Sequence, residues 1–441
     1  MVKQLRVLMN GESVGVFTKE PSGAHSFQYG EEWLNSSKSR PISLSIPLRR
    51  EPYRGDIVIN FFDNLLPDNP QVRDRIVARY GAKTKQPFDL LEKIGRDSVG
   101  AITLIPEGEP IPEFKGIRAT ELSLIKLEQV LNSYADNIPL GMVDGNDDFR
   151  ISIAGAQEKT ALLKLDERWF IPQGATPTTH IIKLPIGEIR TQESVLDLTT
   201  SVDNELVCMR LSEAFGLPTA SCDVIRAGGV RALAVERFDR RFSQLKDWIV
   251  RLPQEDFCQV SGMPSASKYE SDGGIGIEGI MDHLLGSEVP QEDRRTFMRS
   301  QVLFYLLAAI DGHSKNFSLF IEPHGKYRLT PLYDIMSAYP LMGGRGLHER
   351  KIKLAMGLKA SSGYKRKWHQ IQPRHFIGTA RLVKYSSDSM RDILDEYIAD
   401  CGQVIDLVGN NLPDDINENV RDKIFEGLTK SVKKLSLGLN D

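Results

Sequence analysis

Apolar and polar residues alternate along residues 1–60, punctuated by Gly and Asn, which is the two-residue period of half-buried strands. Arg6-Val7-Leu8-Met9, the pair Asn10-Gly11 and Val14-Gly15-Val16-Phe17 predict a hairpin with a two-residue turn. Asp68-Asn69-Pro70, followed by Val72 and Ile76, predicts a capped helix with proline near its first position, and Pro87-Phe88-Asp89-Leu90-Leu91 opens another. Ala101–Pro106 reads as a short strand and the proline- and acid-rich Glu107–Phe114 as a surface connection. From Phe149 the texture changes. Arg150-Ile151-Ser152-Ile153 alternates, and a turn of small residues follows, Ala154-Gly155-Ala156-Gln157-Glu158-Lys159. Thr160–Leu165, Thr179–Leu184 and Ala232–Phe238 are strand-like, and a helix over about 202–215 is closed by Gly216. Beyond about residue 245 the pattern is mainly helical, with one more hairpin formed by Phe317–Ile321 and Tyr327–Leu332. Strands with one helix, then a helical half, predict an α+β chain of two lobes. The segments are 1–110, 111–245 (strand-rich, with the small-residue turn) and 246–441 (helical).

The 441 residues are 41% hydrophobic and 26% charged, enough for more than one core. The longest apolar run, Val302–Ile310, has nine residues, too short to span a bilayer. No apolar region precedes the first turn, so neither a signal peptide nor a membrane partner is expected. Cys208, Cys222, Cys258 and Cys401 are far apart and read as reduced thiols of a cytoplasmic protein. The net charge of -3 excludes a globally basic nucleic-acid binder, but its distribution is uneven. Residues 345–384 hold eleven Lys or Arg against the single acid Glu349, a local +10 on an otherwise acidic chain. Such a patch points to a partner at one place.

The candidate chemistry begins at Asp311-Gly-His-Ser-Lys-Asn316, directly after the nine-residue apolar run. Its Asp and Asn stand five positions apart, the spacing at which a kinase catalytic loop pairs a proton-accepting Asp with a metal-holding Asn. Alone that pair is common in loops. Asn316, however, leads into the predicted hairpin, whose second strand runs into Tyr333-Asp334. Two carboxylates and an amide carbonyl make a hard-oxygen Mg2+ site. Upstream, Gly155 between Ala154 and Ala156 lets backbone N–H groups approach an anion, with Lys159 closing the turn. Lys183 lies inside an apolar strand and needs an acid or a phosphate; Glu205 on the next helix is a candidate acid. The strand ending in Glu236-Arg237-Phe238 is either a core strand that surfaces or a hinge presenting backbone groups to an adenine. Gly274-x-Gly276-x-x-Gly279 follows no strand and is set aside. His180 reads as a packed core residue, and histidine pairs spaced for zinc are absent from the sequence.

Phe149-Arg-Ile-Ser152-Ile-Ala-Gly-Ala-Gln-Glu-Lys159, Thr179-His-Ile-Ile-Lys183, Glu236-Arg-Phe-Asp239, Asp311–Asn316 and Tyr333-Asp334 together resemble the HipA serine/threonine kinase toxins. So do Asn60-Phe-Phe-Asp-Asn-Leu-Leu-Pro67 and Ile94-Gly-Arg-Asp-Ser-Val-Gly100, which resemble that family's N-terminal region. The resemblance implies a two-lobed protein-kinase-like fold similar to the phosphatidylinositol kinases, with ATP and Mg2+ as cofactors. It implies Asp311 as catalytic base, with Asn316 and Asp334 as metal ligands. Lys183 and the turn Ala154, Gly155, Ala156, Gln157, Glu158, Lys159 would contact the phosphates. Glu236, Arg237, Phe238 and Tyr333 would line the adenine site, and His313, Ser314, Lys315 and Asn316 would face the nucleotide. Ser152 would be the autophosphorylation site. By the same resemblance the protein substrate would be glutamyl-tRNA synthetase, its phosphorylation halting translation and promoting persistence. The partner would be HipB, a dimeric helix-turn-helix antitoxin, and the complex would repress its own operon on operator DNA.

A phosphate on Ser152 adds about -1.5 to -2 charges, three residues before Gly155, where the phosphates of ATP would bind. The expectation is that this segment is then expelled and the enzyme silenced. In the basic stretch, Arg381 and Lys384 are read as one face of a helix beginning near His375, suited to DNA phosphates; the alternative is a solvated face. Two other readings of the whole chain stay open: a catalytically inactive antitoxin- and DNA-binding co-repressor scaffold, and a small-molecule kinase of the aminoglycoside-phosphotransferase type.

Overall fold

Asn10 and Gly11 both take left-handed dihedrals, φ +48° and +89°, the turn whose twist matches that of the strands it joins. They connect strand β1 (Lys3–Met9) to β2 (Glu12–Lys19), with Met9 opposite Glu12. Strands β3 (His25–Tyr29), β4 (Tyr53–Arg54) and β5 (Ile102–Pro106) complete an antiparallel sheet of order β4-β3-β2-β1-β5. The computed structural model describes residues 2–135, 159–190, 195–344 and 346–439. Ser152, the strand predicted to hold it, the predicted turn residues Ala154, Gly155, Ala156, Gln157 and Glu158, and Arg345 lie outside the described residues.

The described residues form two compact units. The first takes those within Met1–Leu184, Asp223–Ala266 and Ser318–Tyr327; the second, those within Pro185–Cys222, Ser267–Phe317 and Arg328–Asp441. In the first unit, Leu5, Val7, Val14, Phe17, Phe27 and Tyr29 of the five-stranded sheet share one core with residues of helices Asp56–Asp63, Pro70–Tyr80 and Pro87–Ile94. Phe17 stacks on Phe62 with ring centroids 3.9 Å apart, and a buried ring of this kind contributes about 1.5–3 kcal/mol. The Glu107–Phe114 connection is not all surface: Phe114 is buried, and the guanidinium of Arg251 lies 5.5 Å from its ring centre.

A second sheet of six strands follows, in the order Cys222–Ala227, Val230–Glu236, His180–Lys183, Lys159–Leu165, Arg168–Pro172, Ala119–Glu121. Leu127, Val130 and Leu131 of helix Leu124–Ala135 fill its core with Leu162, Ile182 and Ala232. His180 is half-buried, and burial lowers its pKa to about 4. Two strands beyond residue 245 also belong to this unit, Ile249–Arg251 and Gln254–Asp256, the latter pairing with Ser318–Ile321. Their short, charged sequences carry no readable period.

The second unit is mainly helical. Helix Ser201–Ala214 ends where Gly216 takes φ +75° and Leu217 N–H bonds back to Ser212 O, the left-handed stop expected of that glycine. Helices Pro290–Leu306, Pro373–Leu382, Ser387–Asn411 and Glu418–Leu439 supply the rest of the core. Two expectations are corrected here. The basic stretch holds a hairpin, Lys353–Lys359 with Tyr364–Lys367, whose lysines mask its buried face of Leu354, Met356 and Leu358. Lys384 is not on the helix of Arg381: that helix ends at Leu382, and Lys384 follows with φ +53°. All four cysteines are buried thiols outside any disulfide. Among the described residues no helix is long and apolar enough to cross a membrane.

Candidate active site

Helix Pro290–Leu306 ends because Ala308 turns left-handed, φ +47°, with Ala309 N–H bonded back to Phe304 O. The chain is thereby released into Asp311–Asn316. Only glycine fits at 312, where a Cβ would lie 2.2 Å from the Phe304 ring. The carbonyl of Asp311 accepts from His313 N–H at 2.8 Å and from Asn316 Nδ2 at 2.6 Å. This gives the five-residue spacing its physical meaning: the asparagine closes the loop onto the aspartate. With Nδ2 so engaged, Oδ1 is the atom of that amide suited to a cation.

The Asp311 side chain is 53% exposed, whereas that of His313 is 6% exposed, its Nε2 3.9 Å from Asp311 Oδ1. Burial holds the His313 imidazole below its ordinary pKa despite the opposing pull of Asp311 and Asp334, so it is neutral near pH 7. Its Nδ1 is buried without a hydrogen-bond partner among the described residues. Ser314 donates through N–H and Oγ to Lys268 O, at 3.2 and 2.8 Å. Lys315 is buried, and its carbonyl accepts from the Tyr333 hydroxyl at 2.7 Å. That bond ties the next segment to the loop, and there Asp334 takes φ +59°. Aspartate tolerates this region better than most residues, yet it remains uncommon backbone that clusters at functional positions. Asp311, His313, Ser314, Lys315, Asn316, Tyr333 and Asp334 are thus linked within the second unit.

One member of this group carried no sequence signal. Tyr269 donates its hydroxyl to Asp311 Oδ1 and meets the His313 ring edge-on, centroids 4.9 Å apart. It lies 42 residues before Asp311, beside the set-aside glycine pattern, in a segment without periodicity.

In the first unit Lys183 stands directly opposite Lys159 in an antiparallel pair. Lys183 is buried. Opposed like charges are unfavourable on a sheet unless an acid or anion lies beside them. Glu205 is buried in the second unit. Glu236 is exposed, opposite His180. The Arg237 side chain belongs to a buried ion network. It bonds Asp239 Oδ1 and Oδ2 at 3.0 and 2.9 Å, Thr178 Oγ1 at 2.9 Å and Ser98 O at 3.0 Å, and its N–H donates to Thr179 O. Arg240 joins Asp97 Oδ1 at 3.0 Å and Gly100 O at 2.8 Å, and Gly100 N–H donates to Asp239 Oδ2. Burial opposes the charge on Asp239, but Arg237 and Arg240 outweigh it and hold the carboxyl low. The Ile94–Gly100 and Glu236–Asp239 motifs, distant in sequence, are two halves of this one network. Any adenine contact from this segment therefore falls to the backbone and to Phe238, which packs edge-on against Phe320.

Family models match both parts of the chain: the HipA N-terminal domain over residues 5–105 and the HipA-like C-terminal domain over residues 151–405. The putative kinase Y4mE of Sinorhizobium fredii is 32% identical over 350 residues, covering 77% of this chain and 79% of its own. The serine/threonine-protein kinase toxin HipA of Shewanella oneidensis is 31% identical over 343 residues, covering 75% and 73%. The fold agrees with a HipA chain solved in the S. oneidensis complex of HipA, HipB and operator DNA, at TM-score 0.81 and 22% identity, over 99% of this chain and 98% of that one. The chain thus has a kinase-like α+β fold, and it belongs to the HipA family.

Proposed function

We propose that this protein is a serine/threonine-protein kinase toxin that transfers the γ-phosphoryl group of ATP to a protein serine, and to its own Ser152. The observation that carries the reading is the arrangement around Asp311. A half-exposed carboxylate sits on a loop closed by Asn316, and Tyr333 fastens the segment of left-handed Asp334 to that loop. A carboxylate and an amide oxygen are hard donors of the kind that suit Mg2+. The buried Nδ1 of His313, without a hydrogen-bond partner among the described residues, offers a nucleotide a further polar contact. Asp334 and Asn316 would hold the ion, which when bound neutralises charge developing on the phosphates. Asp311 orients the acceptor serine and takes its proton; Lys159 and Lys183 supply charge for the phosphates. Backbone groups of Glu236–Phe238 and the ring of Tyr333 would receive the adenine. In this reading residues 1–110 form an accessory subdomain, 111–245 the nucleotide-binding half and 246–441 the catalytic and partner-binding half.

The same reading gives the chain a HipB-type helix-turn-helix antitoxin dimer as partner, operator DNA through that complex, glutamyl-tRNA synthetase as substrate and the cytoplasm as its place. The test is incubation with γ-labelled ATP and Mg2+. Label on the Ser152 peptide is expected, with a loss of about 1000-fold or more in Asp311→Asn, as for removal of an essential group. No label from the parent chain would leave only a binding scaffold. Label confined to added aminoglycosides would make it a small-molecule kinase.

A further inference from the structure

The segment Lys268–Glu270 belongs to no motif that marks the site, yet each of its three residues is fixed to something that matters there. Lys268 O takes both the N–H and the Oγ of Ser314 in the catalytic loop. Tyr269 gives its hydroxyl to Asp311 Oδ1 and its ring to the edge of His313. Glu270 Oε2 accepts from Gly357 N–H at 2.6 Å and from Arg366 Nε at 3.1 Å, with Arg366 Nη2 at 2.9 Å. Gly357 and Arg366 lie on the two strands of the basic hairpin. The tyrosine is therefore clamped from both sides along the chain, by the catalytic loop before it and the hairpin after it.

We propose that Tyr269 is a positioning residue for the carboxylate of Asp311, and that Glu270 with Arg366 is the anchor that keeps it in place. The inference rests on the reading of Asp311 as the base, and it adds residues which that reading does not contain. A half-exposed aspartate on a loop can rotate about both side-chain torsions. Transfer needs one oxygen aligned on the acceptor hydroxyl to within a fraction of an ångström. A phenol holding Oδ1 removes that freedom and leaves Oδ2 to the acceptor. The hydroxyl matters for this purpose rather than for folding: its partner is a solvent-accessible carboxylate, and a hydrogen bond in such a place contributes little to stability. The anchors argue against a mobile lid, because a lid would not be bonded through backbone and side chain at consecutive residues. Arg366 thereby gains a function within the enzyme, distinct from any role of the basic stretch toward DNA.

The test uses the full chain with γ-labelled ATP and Mg2+. Three quantities are read: the first-order rate of label transfer to the chain at saturating ATP, the affinity for a fluorescent ATP analogue, and the melting temperature. Tyr269→Phe is expected to slow transfer about 10-fold, the cost of lost alignment, with affinity and melting unchanged. Glu270→Gln is expected to slow it about 3-fold, and the double variant to be no slower than Tyr269→Phe alone, since both remove one restraint. Transfer by Tyr269→Phe at the parental rate, a loss of nucleotide affinity in step with rate, or multiplying effects in the double variant would each overturn the inference. Asp311→Asn separates the two claims. If it still transfers label, the reading of Asp311 as the base has failed; if it is dead while Tyr269→Phe is fully active, only the role of Tyr269 has.

Discussion

Asp97 and Asp239 lie among Arg237, Arg240 and Arg251, all five side chains at most 3% exposed. Charges taken this far out of water persist only when each is paired and hydrogen-bonded. Among these five side chains, removing Asp97 leaves three guanidinium groups facing Asp239 alone. Asp97→Ala is therefore expected to cost about 3–5 kcal/mol of stability, read from the urea midpoint. Glu12→Ala, which breaks the exposed pair with Lys38, should cost under about 1 kcal/mol. Equal effects would show that the network is no more than surface pairing. The sequence makes the candidate reacting groups legible and their supports illegible, for a physical reason. Asp311 and Asn316 are joined by a local loop, so their spacing survives in one dimension. Tyr269 reaches Asp311 across 42 residues, and Asp97 reaches Arg240 across 143; nothing in the intervening pattern encodes either meeting.

Among elements, those with a strong local cause are the ones the sequence predicts. The Asn10-Gly11 hairpin, the helix opened by Pro70 and the stop at Gly216 each rest on backbone chemistry within a few residues. Strand Gln254–Asp256 has no such cause. It is polar by composition, and what holds it is a distant partner, Ser318–Ile321. Its middle residue, Glu255, is fully buried, bonded by Ser43 Oγ and Leu44 N–H from the connection between β3 and β4. Burial pushes its carboxyl up to about 8, although both bonds oppose the shift. The folded chain thus keeps a proton that the unfolded chain releases near pH 4.5, the ordinary value. Stability contributed by this group is full below that pH and falls as the pH rises toward about 8, by up to about 1.4 kcal/mol per unit. Glu255→Gln keeps the size and can satisfy both partners, so it should flatten this slope and be the more stable variant at the alkaline end. Urea midpoints at about pH 5 and about pH 8 check it; parallel slopes for the two proteins would show Glu255 to be ionised throughout.

For the molecule as a whole the question is how a chain of net charge -3 would approach DNA. Total charge is the wrong quantity. At physiological salt, exposed charges more than about 8–10 Å apart are largely screened from one another, so an acidic remainder elsewhere does not cancel a +10 stretch where it meets a partner. What matters is how many of the eleven basic residues are free to meet phosphates. Arg366 is engaged with Glu270, and Lys359 lies against the Tyr364 ring. Arg381 and Lys384 are exposed, on either side of the turn that ends helix Pro373–Leu382. Their separation by that turn removes the single-face argument but not the charge: two cations at a helix C-terminus and just beyond it still release counter-ions when they meet phosphate. In the proposed complex with antitoxin and operator, Arg381→Ala with Lys384→Ala should reduce the slope of log affinity against log salt by up to about 1.8, or about 0.9 for each phosphate no longer neutralised. Transfer of label from ATP should be unchanged, since neither residue belongs to the proposed site around Asp311. A slope identical to that of the parent would mean that these two cations face only solvent. The phosphate contacts would then fall to the other basic residues of the stretch, among them those of the Lys353–Lys367 hairpin, where substitution at Arg366 is expected to disturb Tyr269 as well as DNA.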